Sequence, residues 1–382
     1  MTISYMADIQ STKHFGTFFR VIFRWRGSVW KCVSADLVFW LIAYYVVMAV
    51  YRFLLSPSGQ NAFESISNYA NKTDQYIPLS LLLGFFVKVV LDRWQGMFGH
   101  IGFIDKVAHT VSAVIRGADP ETVTQRRNIV RYLCLVQLLV LRDISVPVRK
   151  RFPSLQSIID AGILHAHELR LINAASNVQS TTNDFGIHWL PFHWACELCQ
   201  RARQTGRISG DPLLAFLFSQ LMQYRDHLQK LLNYDWVPIP VAYPQVVFCA
   251  VRFYFLVCLF SRQSLISDER LHTDAKPFFK AYLPLMTIVQ FVFYMGWVKV
   301  AEELLNPLGE DDDDFETLFV LERNLHVSIA LADQHHDQVP EQYRDTLDKR
   351  HDEWGTKTTL SMIGSAVNML PRSINEFAVI RV

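Results

Sequence analysis

Four apolar stretches, each near the roughly 20 residues a helix needs to cross a bilayer, constrain this chain more than any other feature. They are residues 37–51 (extended through 53–55 past Arg52), 76–94, 236–260 and 281–298. Between the second and third, residues 93–235 are polar and Arg-rich, with no run long enough to span. Composition agrees with that alternation. At 51% hydrophobic the chain is too apolar for an ordinary soluble protein, and at 19% charged it is too polar to be all membrane. An all-α integral membrane protein follows, with four transmembrane helices and a large water-facing helical domain. The net charge of +1 supplies no basic field, so no nucleic-acid partner is expected.

The apolar runs divide the chain. Residues 1–35 form an N-terminal segment, 36–100 the first two spans, and 101–235 a cytosolic helical domain. Residues 236–300 hold the third and fourth spans, 301–338 an acidic turn and a further helix, and 339–382 a polar tail. Within the helical domain, residues 129–141 read as a buried soluble helix, and 156–173 and 213–232 as further helices. Four spans put both termini on one side, and Lys13, Arg20, Arg24, Arg26 and Lys31 before the first span make that side cytosolic. The loop at 56–75 then lies outside and carries an N-glycosylation sequon at Asn71. Arg252 stands in the middle of the third span, where a charge should face protein or water rather than lipid.

The second stretch, YIPLSLLLGFFVKVVLDRW, has a patterned surface. Ile77, Leu81, Phe85 and Lys88 fall at i, i+4, i+8 and i+11 and share one helical face. Ser80 and Gly84 offer small residues for a close neighbour. This is either an ordinary spanning helix or the wall of an apolar constriction. Lys88 would sit about one turn below Phe85, either adding a ring of positive charge to a pore or pairing with Asp92 four residues on.

After the fourth span comes NPLGEDDDDFE, residues 306–316, with Glu310 and Asp311 to Asp314 in one turn. Adjacent carboxylates repel, so solvent, basic partners, a helix N-terminus or a cation must compensate. Hard oxygen donors beside free carbonyls suit Ca²⁺, although the alternating EF-hand pattern is absent. That motif, flanked by GWVKVAEEL and ERNLHVS, closely resembles the signature of the bestrophins. So do MTISY, WRGSVWK, IPLSLLLGF, RYLCLVQLLVLRDIS, KRFPS, YDW, YPQVV and SRQ, in register from residue 1 to about residue 332.

The resemblance implies a homopentameric, calcium-activated chloride channel of the plasma membrane, passing other monovalent anions through a pore on the fivefold axis. Carried over by position, the neck is Ile77, Leu81 and Phe85, with Leu81 where the family often has an aromatic. The cytosolic aperture is Leu213, after Asp211-Pro212. The calcium ligands are the Asp311 and Asp314 carboxylates and the carbonyls of Glu303 and Asn306. One more carbonyl comes from Gln10 or Ser11. Residues 359–367 loosely resemble the family's autoinhibitory tail segment. The alternative is a membrane-anchored regulator or scaffold of other transport proteins, which would carry no current by itself. An enzyme is not expected: His167-Glu168 is not followed by a zincin histidine, and no phosphate loop or nucleophile elbow occurs. Cys196 and Cys199 lack the second pair of a zinc ribbon, and His335-His336 reads as an exposed polar pair.

Overall fold

In a computed structural model, residues 15–73, 78–178, 186–267 and 283–343 are described, and no strand occurs among them. The helices are α1 (Phe15–Ile22), α2 (Val29–Ala49), α3 (Pro57–Thr73), α4 (Leu79–Gly99), α5 (Asp105–Val114), α6 (Pro120–Ile144) and α7 (Val146–Arg151). There follow α8 (Leu155–Asp160), α9 (Ala166–Val178), α10 (Trp189–Gln204), α11 (Asp211–Trp236), α12 (Ala242–Ser261), α13 (Leu285–Leu304) and α14 (Thr317–Ile329). The chain folds as two compact units. The first takes its described residues from Met1–Arg24, Gly102–Asp226 and Glu316–Val382, the second from Trp25–Ile101 and His227–Phe315.

The second unit packs α2, α3, α4, α12 and α13 around aromatic side chains. Trp40 of α2 lies 5.6 Å from Phe291 and 6.4 Å from Phe255, ring to ring. Its indole N–H donates to the Phe255 carbonyl at 2.9 Å, so its one polar atom is satisfied inside an apolar core. Leu79, Leu83, Phe86 and Val90 form the buried face of α4. Three helical segments are long and apolar enough to cross a membrane by length and composition: Val29–Leu54, Ala242–Ser261 and Leu285–Leu304. The stretch expected as the second span forms α4, which carries Lys88, Asp92 and Arg93 and falls outside that set. Residues 56–75, read as a loop, are largely the helix α3. Phe63 of α3 stacks on Tyr51 at 4.6 Å, which gives an otherwise polar segment an apolar anchor.

In the first unit α6 is the central helix. Its residues from Ile129 to Leu141 are almost all buried, as their apolar run predicts, against α10 and α14. Two polar positions inside that core are fully paired. The Asn324 amide donates to the Gly102 carbonyl (2.8 Å) and to Gln137 (2.9 Å), and Gln137 donates to the same carbonyl at 2.9 Å. Arg131, also in the buried run, is neutralised by Glu168 of α9 at 2.6 Å. Residues 156–173 do not form one helix. The chain breaks between α8 and α9 at Gly162, whose φ of +75° favours glycine.

Candidate permeation face and acidic turn

Two features of the second unit bear on function. The first is the side of α4 turned away from its core. Leu81 is 58% and Phe85 63% exposed, while Leu83 and Phe86 are fully buried. Lys88 and Asp92 continue the exposed side and form an ion pair with one another. A Cβ added at Gly84 would meet nothing within 4 Å, so among the described residues nothing packs closely on the small-residue face seen in the sequence. Ile77 lies outside the described residues.

Toward its C-terminal end α4 is tied down. Arg93 donates to the Tyr234 and Val237 carbonyls at the end of α11, satisfying acceptors a helix terminus leaves open. A Cβ on Gly96 would collide with the Tyr234 hydroxyl, so glycine is what lets that ring approach.

The second feature is the acidic turn after α13. Its backbone closes through Phe315 N–H to Pro307 O (2.8 Å) and Asp314 N–H to Asp311 O (3.2 Å). Asp314 is only 7% exposed and accepts from the Asp311 amide at 2.7 Å. Burial pushes its carboxyl up to about 6, opposed by that amide and reinforced by the charges of Asp311, Asp313 and Glu303. Gly309 leaves a small space beside it: a Cβ there would lie 2.8 Å from an Asp314 oxygen and 3.6 Å from the Asn306 carbonyl oxygen. Among the described residues no three His, Cys, Asp or Glu side chains gather as a metal-binding set. A cation in the turn therefore depends on main-chain carbonyls added to the carboxylates. The donors at hand are all oxygen, which fits Ca²⁺ rather than a softer ion. The Glu303 side chain is engaged elsewhere, accepting from the Cys32 thiol at 2.8 Å. Gln10 and Ser11 lie outside the described residues, as do residues 359–367.

Asp312 was given no part by the sequence reading. It pairs with Lys31 at 2.8 Å and Arg26 at 3.6 Å, tying the turn to the start of α2. The signal was present in the basic residues of WRGSVWK, but 281 positions separate Lys31 from Asp312. Arg252 also gains a partner, Glu302 at 3.5 Å, and its guanidinium lies 5.6 Å from the centre of the Phe248 ring. Glu302 pairs in turn with Lys299 at 3.1 Å, and Lys299 with Asp36 at 3.5 Å, so charges on α12, α13 and α2 form one chain. In the first unit, Leu213 is exposed near the start of α11, where Asp211 pairs with Arg203 at 2.7 Å.

Helices long and apolar enough to cross a membrane, together with a helical unit that has its own buried core, define a membrane protein that is all-helical among the described residues. A family model described as "Bestrophin, RFP-TM, chloride channel" matches residues 1–334. The chain therefore belongs to the bestrophin family, a family of chloride channels. It is 41% identical over 334 residues to Bestrophin homolog 1 of Caenorhabditis elegans, covering 87% of this chain and 73% of that protein. It is also 41% identical over 345 residues to Bestrophin homolog 24 of the same organism, covering 90% of this chain but only 53% of that longer relative. Among solved structures, a variant of a bacterial bestrophin homologue from Klebsiella pneumoniae superposes with a TM-score of 0.58. That match covers 81% of this chain and 99% of the other at 17% identity, and supports the fold alone.

Proposed function

We propose that this chain is a calcium-activated anion channel of the plasma membrane, assembled as a homopentamer with α4 lining the pore and both termini in the cytosol. The observation that carries the reading is the outward apolar face of α4. Its Leu81 and Phe85 are left without cover by the described residues while the opposite face is fully packed. Repeated around an axis, and joined by Ile77 as the sequence assigns it, this face would make a narrow neck. An anion entering it loses water and gains few polar contacts, so weakly hydrated anions pass most easily. Leu213 forms the second constriction on the cytosolic side. α4 supplies the second of four spans, its charged lower half facing the aqueous path rather than lipid.

Asp311 and Asp314, with the carbonyls of Glu303, Asn306 and Gln10 or Ser11, would hold calcium. A bound cation would supply the positive charge that lets these carboxylates remain ionised side by side. Asp312, held by Lys31 and Arg26, keeps the turn anchored to the first span whether or not the cation is present. Because the arrangement that binds calcium more tightly is favoured when calcium is present, activation requires the conducting state to be that arrangement.

Recording from the purified protein in planar bilayers tests this reading. The expected result is a chloride current that requires calcium, with Asp311→Ala and Asp314→Ala each moving activation to much higher calcium. Absence of current from well-folded protein would favour a regulator of other channels. Unchanged calcium dependence in both variants would remove these two residues as ligands.

A further inference from the structure

The C-terminal end of α14 meets α5 and α6 of the first unit through an unusual set of charges. The helix continues through the wider turn Ala330–Gln334, closed by His335 N–H to Ala330 O at 2.8 Å. Arg126 of α6 is wholly buried there, and Asp337, Asp333 and Asp119 act on it through charge. Three carbonyls hold it by hydrogen bonds: Ala332 (3.0 Å), Ile115 (3.2 Å) and Gly117 (2.6 Å). The negative end of a helix suits that cation.

Beside it, His336 has a side chain only 4% exposed. Its Nδ1 meets the Ser112 hydroxyl of α5 at 3.1 Å, and its buried Nε2 makes no hydrogen bond. The charged groups around it are few. α6 brings Arg126, and Arg127, which is bound to Asp333 at 2.6 Å. The end of α5 brings Arg116, bound to Asp337 at 2.7 Å. The segment itself brings His335, which pairs with Gln338, and Asp337, whose carboxylate lies 3.5 Å from Nε2. Asp337 is more than half exposed and already engaged by Arg116, so it offers a screened, shared counter-charge. It is also the one described non-glycine residue with positive φ, +58°, a conformation that persists only while its contacts do.

We propose that His336 is a proton-operated latch: neutral, it seats residues 330–337 on α5 and α6; protonated, it releases them. A second positive charge is poorly hydrated in that seat and is repelled by the fixed charge of Arg126. Burial, then Arg126, hold the imidazole below its usual value of 6.5, with Asp337 acting the other way and Arg116 adding to the depression. The seat is thus at full strength above about pH 6.5 and weakens as pH falls through it. The docking equilibrium changes by about tenfold per pH unit until the depressed value of the docked state is reached. The release concerns the first unit's own packing and does not depend on which ion the channel carries.

Hydrogen–deuterium exchange on the full chain in lipid nanodiscs, from about pH 7.5 to 5.5 and corrected for intrinsic rates, reads the latch directly. Peptides over residues 328–340 should lose protection up to about tenfold per unit below pH 6.5, while those of α2 and α13 stay constant. His336→Asn, which keeps a hydrogen bond to Ser112 but cannot titrate, should abolish that slope. Ser112→Ala, which keeps the imidazole, should weaken protection at every pH and retain the slope. Flat protection in the parent overturns the proposal, as does an unchanged slope in His336→Asn.

Discussion

Single residues here are governed by whether a charge has a partner. Glu168, almost fully buried, accepts from Arg131, from the Tyr132 hydroxyl at 2.8 Å and from the His165 amide at 2.8 Å. Burial alone would raise its carboxyl, but these donors hold it at about 2. Its folded value is depressed, so its contribution to stability is complete above about pH 4.5 and is lost as pH falls toward 2. Glu168→Ala should cost about 3–5 kcal/mol, because Arg131 is left buried and unpaired, whereas an Arg131→Met, Glu168→Leu double variant should cost much less. Denaturation midpoints of the three proteins check both statements. The Lys88–Asp92 pair follows the opposite logic, because both side chains are exposed and the pair contributes no more than about 0.5 kcal/mol to stability. Its weight is electrostatic. Lys88→Gln would leave five Asp92 charges near the neck of a pentamer and should lower chloride conductance. Asp92→Asn should raise it, both effects being largest at low ionic strength. Single-channel conductance across a salt series decides whether these residues face the ion.

Among the elements, α4 separates packing from function by face. Leu79, Leu83, Phe86 and Val90 belong to the core, and replacing them by alanine would damage folding at about 2–5 kcal/mol per site. Leu81 and Phe85 do not contact that core, so their replacement should spare the fold. Ile77→Ala, Leu81→Ala and Phe85→Ala together should widen the neck and give current without calcium. A triple variant that assembles normally and still opens only with calcium would move the gate to another position, Leu213 being the next candidate. The acidic turn divides its work similarly. Asp312 holds the turn to α2, while Asp314 remains beside Gly309 and the Asn306 carbonyl.

For the whole molecule, the described residues leave large apolar side chains uncovered on each of the three helical segments long and apolar enough to cross a membrane, including Phe39 on α2, Phe53 just beyond it, Phe253 on α12 and Phe293 on α13. Such surfaces suit lipid and, in the proposed pentamer, neighbouring subunits. Native mass spectrometry from detergent should find five 44.2 kDa chains together. A stable monomer that still conducts would contradict a pore built on the shared axis, because one copy of α4 cannot enclose a path.

The sequence by itself determined the membrane class and the family. Apolar length is a local property, and a run such as GWVKVAEELLNPLGEDDDDFE carries its resemblance without any fold. It also placed Leu81, Phe85 and Lys88 on one side of a helix, because a period of about 3.6 residues is fixed by backbone geometry. What it could not decide was which side of that helix the core would take, since apolar residues ring α4 almost completely. It read residues 56–75 as a loop because α3 is polar, and tertiary contacts such as Phe63 against Tyr51 and the Tyr51 hydroxyl on Glu64 at 2.6 Å account for that helix's place in the unit. The partners of Arg252, Asp312 and His336 were likewise out of reach. Each is met across tens to hundreds of positions, and such a pairing is set by how helices pack rather than by spacing along the chain.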